Sequence, residues 1–275
     1  MLSAAIVITT YNWPKALDLV LSSVSIQTVL PREIHIADDG STESTRELLR
    51  QWQDALPVPL FHHWHEDRGF RPNPVRNEAV ANTDSDIIIM LDGDMIMHPQ
   101  FVADHIHFSR EGQFIQSRRV RLSEPLTTTA LRARQYRFSF FTPGVTRRTQ
   151  AIRNRGLSGM VSTRSRSMQH IRGANMSMWR KDFVAVNGMN EDFIGWGFED
   201  HDLTARLYQL GLDRLYLRHA ALAYHLEHDD NNRDRKSINQ EIFEQNCRDR
   251  VVRVSNGLVE NHHLKVAAAE RHPDY

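Results

Sequence analysis

The sequence predicts a single α/β domain, a sheet flanked by helices, on three observations. Short apolar runs alternate with helical patterns through the first half of the chain. Each apolar run there ends in a polar cluster: Thr9-Thr10-Tyr11-Asn12, Asp38-Asp39-Gly40-Ser41 and Asp92-Gly93-Asp94. And 275 residues, 40% of them apolar, can bury a sizeable core. Strands alternating with helices form parallel sheets that hold ligands at the carboxyl ends of their strands, so the three clusters share one edge.

The elements follow in order. Residues 4–9 read as a buried strand. Pro14 suits a first helical turn and leads Leu17, Val20, Leu21 and Val24 at helical spacing. Residues 33–37 are a strand, 41–53 a helix, 60–64 a strand, 74–81 a short helix and 86–91 a fourth, buried strand. Farther on, 172–179 reads as a strand, 181–187 as a short helix, and 199–210 as a helix stopped by Gly211. Residues 214–217 and 222–225 suit strands, and 237–252 a helix with Ile238, Ile242, Phe243, Val251 and Val252 partly apolar.

Composition excludes several classes. Lysine plus arginine is 34 and aspartate plus glutamate is 34, so this is no globally basic nucleic-acid binder. One cysteine, Cys247, permits neither an intrachain disulfide nor a cysteine zinc cluster. No apolar run nears the roughly 20 residues that span a bilayer, and Met1-Leu2-Ser3 lacks the basic lead of a secretory leader. The expected setting is cytoplasmic. The zero net charge is a cancellation, however. From Arg118 to Arg172 there are thirteen arginines and one acid, Glu124. That segment is either a solvated charged face or one that meets phosphates, which guanidinium forks bind in pairs.

No glycine precedes Gly40, which excludes the glycine-rich turn of a dinucleotide fold or a P-loop after the first strand. Asp92-Gly93-Asp94 instead follows the apolar run Ile87-Ile88-Ile89-Met90-Leu91. Two carboxylates two residues apart at a strand end offer hard oxygen ligands for Mg²⁺ or Mn²⁺. His62, His63 and His65 fit no zinc spacing and read as a polar strand end.

These clusters, with Arg76-Asn77, resemble the successive motifs of family 2 glycosyltransferases of the GT-A fold. Gly195-Trp196-Gly197-Phe198-Glu199-Asp200 resembles a segment of β-1,4-galactosyltransferases and chondroitin-polymerase domains. The resemblance implies a GT-A, Rossmann-like mixed sheet flanked by helices, a single domain with an Arg-rich insert. Residues 1–115 would form the UDP-sugar half, 116–235 the insert and the acceptor and catalytic half, and 236–275 a helical extension.

It also implies roles. Thr10, Tyr11 and Asn12 would line a uridine pocket, Asp39 would bond the uracil or ribose, and Arg68 the base or phosphates. Asp92 would reach the ribose, Asn77 the donor, and Asn175 a donor-sugar hydroxyl. Trp196 would offer its ring to a sugar. Asp94 and His225 would hold Mn²⁺ or Mg²⁺, with His228 in reserve. Asp200 would be the general base and Glu199 would bind acceptor hydroxyls; the helix dipole is expected to depress both acids.

The implied activity is metal-dependent, inverting transfer of a hexose or N-acetylhexosamine from a UDP-sugar to a glycan or glycolipid hydroxyl, in bacterial surface polysaccharide or lipopolysaccharide synthesis. A retaining transferase and a non-catalytic sugar-nucleotide or glycan binder are the alternatives. The arginine segment would close over the site as a lid, or dock a phosphorylated acceptor or the inner membrane face through Arg147, Arg148, Arg153 and Arg155. No nucleic-acid partner is expected.

Overall fold

Residues 4–8 carry no polar side chain, so they suit a strand covered on both faces. In the computed structural model, which describes residues 2–228 and 235–264, they form most of β1 (Ala4–Thr10). Ile6 and Ile8 face one apolar cluster and Val7 the other, as the two-residue period of a strand requires. After β1 come α1 (Pro14–Val24), β2 (Glu33–Asp38), α2 (Glu43–Ala55), β3 (Leu60–Trp64), α3 (Pro72–Ala81) and β4 (Ile87–Asp92). Prolines open α1 and α3, where a missing N–H costs nothing. The four strands are parallel in the order β3-β2-β1-β4. Thr10, Asp38 and Asp92 therefore end neighbouring strands on one edge, as expected from sequence.

The chain then leaves simple alternation. It forms β5 (Met95–Met97), α4 (Phe101–Phe108), β6 (Gln113–Ser117), β7 (Arg119–Arg121) and α5 (Glu124–Ala133). A 3-10 turn (Arg148–Ala151), α6 (Arg155–Val161), β8 (Thr163–Ser165), β9 (Asn175–Trp179) and α7 (Arg180–Ala185) follow. Last come α8 (Glu199–Gln209), β10 (Asp213–Leu217), β11 (Ala223–His225), α9 (Lys236–Arg248) and α10 (Leu258–Asn261). The main sheet is mixed and runs β3-β2-β1-β4-β9-β6-β10-β8. β9 lies antiparallel between β4 and β6. A small second sheet, β5-β11-β7, sits where β4 hands over to the second half.

The strand expected over 172–179 begins only at Asn175, because residues 173 and 174 turn toward α8. The helix expected over 237–252 ends at Arg248. Of the predicted C-terminal extension, residues 265–275 lie outside the described ones, as do 229–234. The arginine segment is ordered structure rather than a simple flap, since it supplies β7, α5, α6 and β8. Two arginines chosen from sequence as anion contacts have another duty. Arg153 and Arg155 both clamp the fully buried Asp104, at 2.6 to 2.9 Å, and Asp104 also accepts the Ala221 N–H.

α8 is fixed from within. Arg206 and Asp202, each 1% exposed in their side chains, pair at 2.8 Å across one helical turn. Arg206 also donates to the carbonyls of Val186 and Gly188 at 2.7 Å, and Asn246 of α9 donates to Asp202. Removing one partner strands a buried charge. Asp202→Ala should therefore lower unfolding stability by about 3–5 kcal/mol, read as a shift of the urea midpoint. Asp202→Leu combined with Arg206→Met should recover much of that loss.

Candidate active site

The polar edge opens into a cavity of about 340 Å³. Nine of the residues singled out from sequence line it: Thr10, Tyr11, Asp39, Asp92, Asp94, Trp196, Glu199, Asp200 and His225. They come from the ends of β1, β2, β4 and β11 and from the start of α8. Gly93 lets the turn after β4 press on β1. Its N–H bonds Thr9 O at 2.7 Å, and a Cβ there would lie 2.8 Å from that same oxygen.

Four predicted residues lie elsewhere. Asn12, in the left-handed region, caps the β1–α1 turn by accepting the Thr42 N–H and donating its own N–H to Ser41 Oγ. Arg68 is exposed and pairs with Glu66 at 2.9 Å. Asn77 is wholly buried in α3 and bonds Met189 and Glu191, so it braces the loop before α8. Asn175 belongs to a neighbouring cavity, held by His105 at 3.0 Å and by Ala221 O at 2.9 Å. Short motifs locate a strand end well but not which way each side chain turns.

Sequence reading undervalued Arg76, Arg119 and His228. Arg76 is buried, donates to Thr9 Oγ1 at 2.8 Å and lies 3.6 Å from Asp92. Its place one turn into α3, facing a strand-end acid, is the signal that could have found it. His65 and the Arg71 N–H both bond Asp39, at 2.7 and 2.9 Å, and His62 bonds Asp38. His62 and His65 thus brace the β2 end, while His63 faces His35 on the other side.

Asp94, His225 and His228 present ligand atoms that all lie within 4.8 Å of one another. Asp94 Oδ2 sits 3.4 Å from His225 and 2.9 Å from His228. Asp94 Oδ1 is buried with no hydrogen-bond partner, as is His225 Nδ1. Burial, with Arg119 nearby, lowers His225 to about 4, so the imidazole is neutral as a metal ligand must be. A mixed oxygen and nitrogen set with an orphaned carboxylate oxygen fits Mn²⁺. Asp92 is pushed up to about 7 by enclosure and by the charges of Asp94 and Asp200, against the pull of Arg76.

Glu199 and Asp200 follow a sharp bend. Gly195, Gly197 and Phe198 all have positive φ, and Phe198 is held there by stacking on Phe243 with ring centroids 5.5 Å apart. Asp200, half-buried and facing the cavity, accepts the Gly173 N–H at 2.6 Å. A Cβ at 173 would run into that carboxylate and displace it. Glu199 is buried and accepts the Gly197 N–H at 2.9 Å. The expectation of a depressed Glu199 is reversed: burial, and then the Asp200 charge, raise it to about 7. Loss of water outweighs the helix dipole.

With this geometry in place, the comparisons identify the class. Residues 5–169 match the family described as "Glycosyl transferase family 2", and 160–229 match "N-terminal domain of galactosyltransferase". The chain belongs to glycosyl transferase family 2. Among curated relatives, "Validoxylamine A glucosyltransferase" of Streptomyces hygroscopicus subsp. limoneus is 26% identical over 76% of this chain and 48% of its own length. "Chondroitin synthase" of Escherichia coli is 24% identical over 81% of this chain and 34% of its own length. The chain thus spans half or less of these relatives.

Among solved structures, TarS of S. aureus superposes with a TM-score of 0.62 at 14% identity, over 94% of this chain and 41% of that one. The mannosyltransferase PcManGT from Pyrobaculum calidifontis, in complex with GDP-Man and Mn²⁺, gives 0.54 at 15%, over 81% and 56%. These likenesses establish the GT-A fold.

Because folded Glu199 titrates near 7, above its unfolded value, ionising it in place costs stability. That cost is nil below the unfolded value, grows between the two and is complete above about pH 7. Glu199→Gln should therefore match the parent in urea unfolding near pH 4 and exceed it near pH 8, in buffer without divalent cations.

Proposed function

We propose that this chain is the catalytic part of a metal-dependent, inverting transferase that moves a hexose or N-acetylhexosamine from a UDP-sugar to a glycan hydroxyl. One observation carries the reading: the Asp200 carboxylate and the Asp94–His225–His228 cluster line the same cavity. A base without a metal set, or the reverse, would suit hydrolysis or simple binding. A glycan binder has no use for a half-buried carboxylate opposite a cation site.

Asp94, His225 and His228 would hold the ion, which when bound offsets the negative charge gathering on the departing diphosphate. Arg76 fixes Asp92 for the donor ribose, and Tyr11, with its hydroxyl on Asp67 at 2.8 Å, walls the nucleoside side. Trp196 presents an apolar ring to a sugar face. Asp200 takes the acceptor hydroxyl proton as that oxygen bonds the anomeric carbon. The bond from that carbon to the diphosphate oxygen breaks, and its electrons leave with UDP. The Gly173 N–H orients the carboxylate for this step. Glu199, protonated near neutrality more than an ordinary glutamate, is suited to donate to an acceptor hydroxyl.

Among the described residues no helix is long and apolar enough to cross a membrane. A cytoplasmic setting and contact with the inner face of a membrane belong to this reading, with surface polysaccharide or lipopolysaccharide as the acceptor class.

Asp200→Asn should cut transfer by ~10²–10⁴-fold while UDP binding in Mn²⁺ stays near parental. An active Asp200→Asn enzyme would displace Asp200 from the base role, and product NMR should show inversion at the anomeric carbon. EDTA should abolish UDP release, and Mn²⁺ should restore it. Gly173→Ala should lower kcat more than it changes UDP affinity, since it displaces the base and not the donor wall.

A further inference from the structure

A second cavity, of about 430 Å³, lies beside the first. Seven arginines line it, and among the described residues no aspartate or glutamate does. Elsewhere four arginines of the same segment face acids: Arg153 and Arg155 share Asp104, Arg134 pairs with Asp18 and Arg166 with Asp213. In the cavity, by contrast, seven guanidinium groups meet, and among the described residues their one ion pair is an exposed contact of 3.4 Å between Arg121 and Glu227.

The cavity is built for an anion. The Tyr216 ring carries three guanidinium groups, those of Arg118, Arg214 and Arg218, at 5.2 to 5.8 Å. Stacking holds planar forks in fixed orientations, which reduces what a bound anion must order. Arg214 is 4% exposed and is held by Gln116 Oε1 at 3.1 Å and Gln169 O at 3.0 Å. Its Nε, like those of Arg218 and Arg119, is buried with no hydrogen-bond partner. Buried donors left unpaired are costly and are normally satisfied by a ligand or water.

The two cavities share a wall. Arg119 lines both. Arg172 lines the second, and the next residue, Gly173, donates to Asp200 in the first. An arginine of the second cavity is therefore the chain neighbour of the residue that bonds the proposed base.

On the transferase reading above, we propose that this cavity is an acceptor subsite for a phosphoryl or diphosphoryl group, held by Arg147, Arg172 and Arg218 with Arg119 at the border. A lone carboxylate has one charge and two oxygens, which a single fork satisfies. Several converging forks match the greater charge and oxygen count of a phosphate monoester or diphosphate. The acceptor would then carry a phosphoryl group near the hydroxyl that is glycosylated.

Calorimetric titration with inorganic pyrophosphate in EDTA, which withholds divalent cations from the Asp94 cluster, tests this. The full chain should bind pyrophosphate under these conditions and glucuronate far more weakly. Arg147→Gln combined with Arg172→Gln should weaken pyrophosphate binding at least tenfold, on the order of one charge-assisted hydrogen bond or more. Both side chains are exposed, and an unshifted melting temperature would show the variant folded. No pyrophosphate binding by the parent, parental affinity in the double variant, or equal binding of glucuronate would each overturn the proposal.

A parallel titration of UDP with Mn²⁺ reports on the donor reading alone, so failure of one is separable from failure of the other. Pyrophosphate-competed retention on phosphatidate vesicles would place the phosphoryl group on a membrane-anchored acceptor. Pyrophosphate binding without retention would place it on a soluble one.

Discussion

The antiparallel insertion of β9 between β4 and β6 is the constraint on which the molecule depends. It joins the parallel half, with its row of strand-end acids, to the half that carries α8. Its register sets Leu91 opposite Asn175, so the turn at residues 173 and 174 emerges beside the end of β4. That turn delivers one backbone N–H to Asp200. A slip of one residue would reverse every side chain of β9 and move that donor from the carboxylate. His105, buried beneath the strand, bonds both Ser177 and Asn175 and pins the register from below. Burial keeps that histidine neutral, at about 4, so it braces the strand without adding charge.

The site is a controlled accumulation of like charge. Asp92, Asp94, Glu199 and Asp200 line one cavity, with Arg76 and Arg119 among them. Four acids cannot all ionise cheaply at close range, and the raised values of Asp92 and Glu199 express that conflict. A divalent cation at Asp94 would relieve the part that falls on Asp92, because the cation becomes the largest local charge. Glu199 lies on the helix side, and its raised value comes mainly from burial. The same principle, with the sign inverted, governs the neighbouring arginine cavity. Within a chain of zero formal net charge, two opposite local fields are thus kept apart by the wall at residues 172–174 and joined at Arg119.

Much of this was legible in the residues. Strands β1 and β4 announced themselves as apolar runs, because a central strand covered on both faces is apolar nearly throughout, while β2 and β3 showed as shorter apolar stretches interrupted by histidines. β3 was placed at its observed bounds, and the other three to within about one residue. The acids at the strand ends came with them. The segments after β4 were harder. β7 and β8 are three-residue strands, and α6 is seven residues of Arg-Gly-Leu-Ser-Gly-Met-Val with no sustained period. Such pieces are set by what they pack against. Arg153 and Arg155 illustrate the point: both read as surface charge in sequence, yet their partner Asp104 lies about fifty residues away in the chain.

Sequence by itself determined the alternating half, the polar edge, the D-x-D turn and the Glu199-Asp200 pair, because each is a local pattern whose chemistry lies within a few residues. Tertiary structure alone decided which side chains reach the cavity. It brought Arg76, Arg119 and His228 in, and it placed Asn12, Arg68, Asn77 and Asn175 elsewhere. It also lifted Glu199 where the helix terminus suggested the opposite. The physical reason is common to all of these. Orientation, burial and pairing depend on groups distant in sequence, and the cost of desolvating a charge exists only once the chain has closed around it.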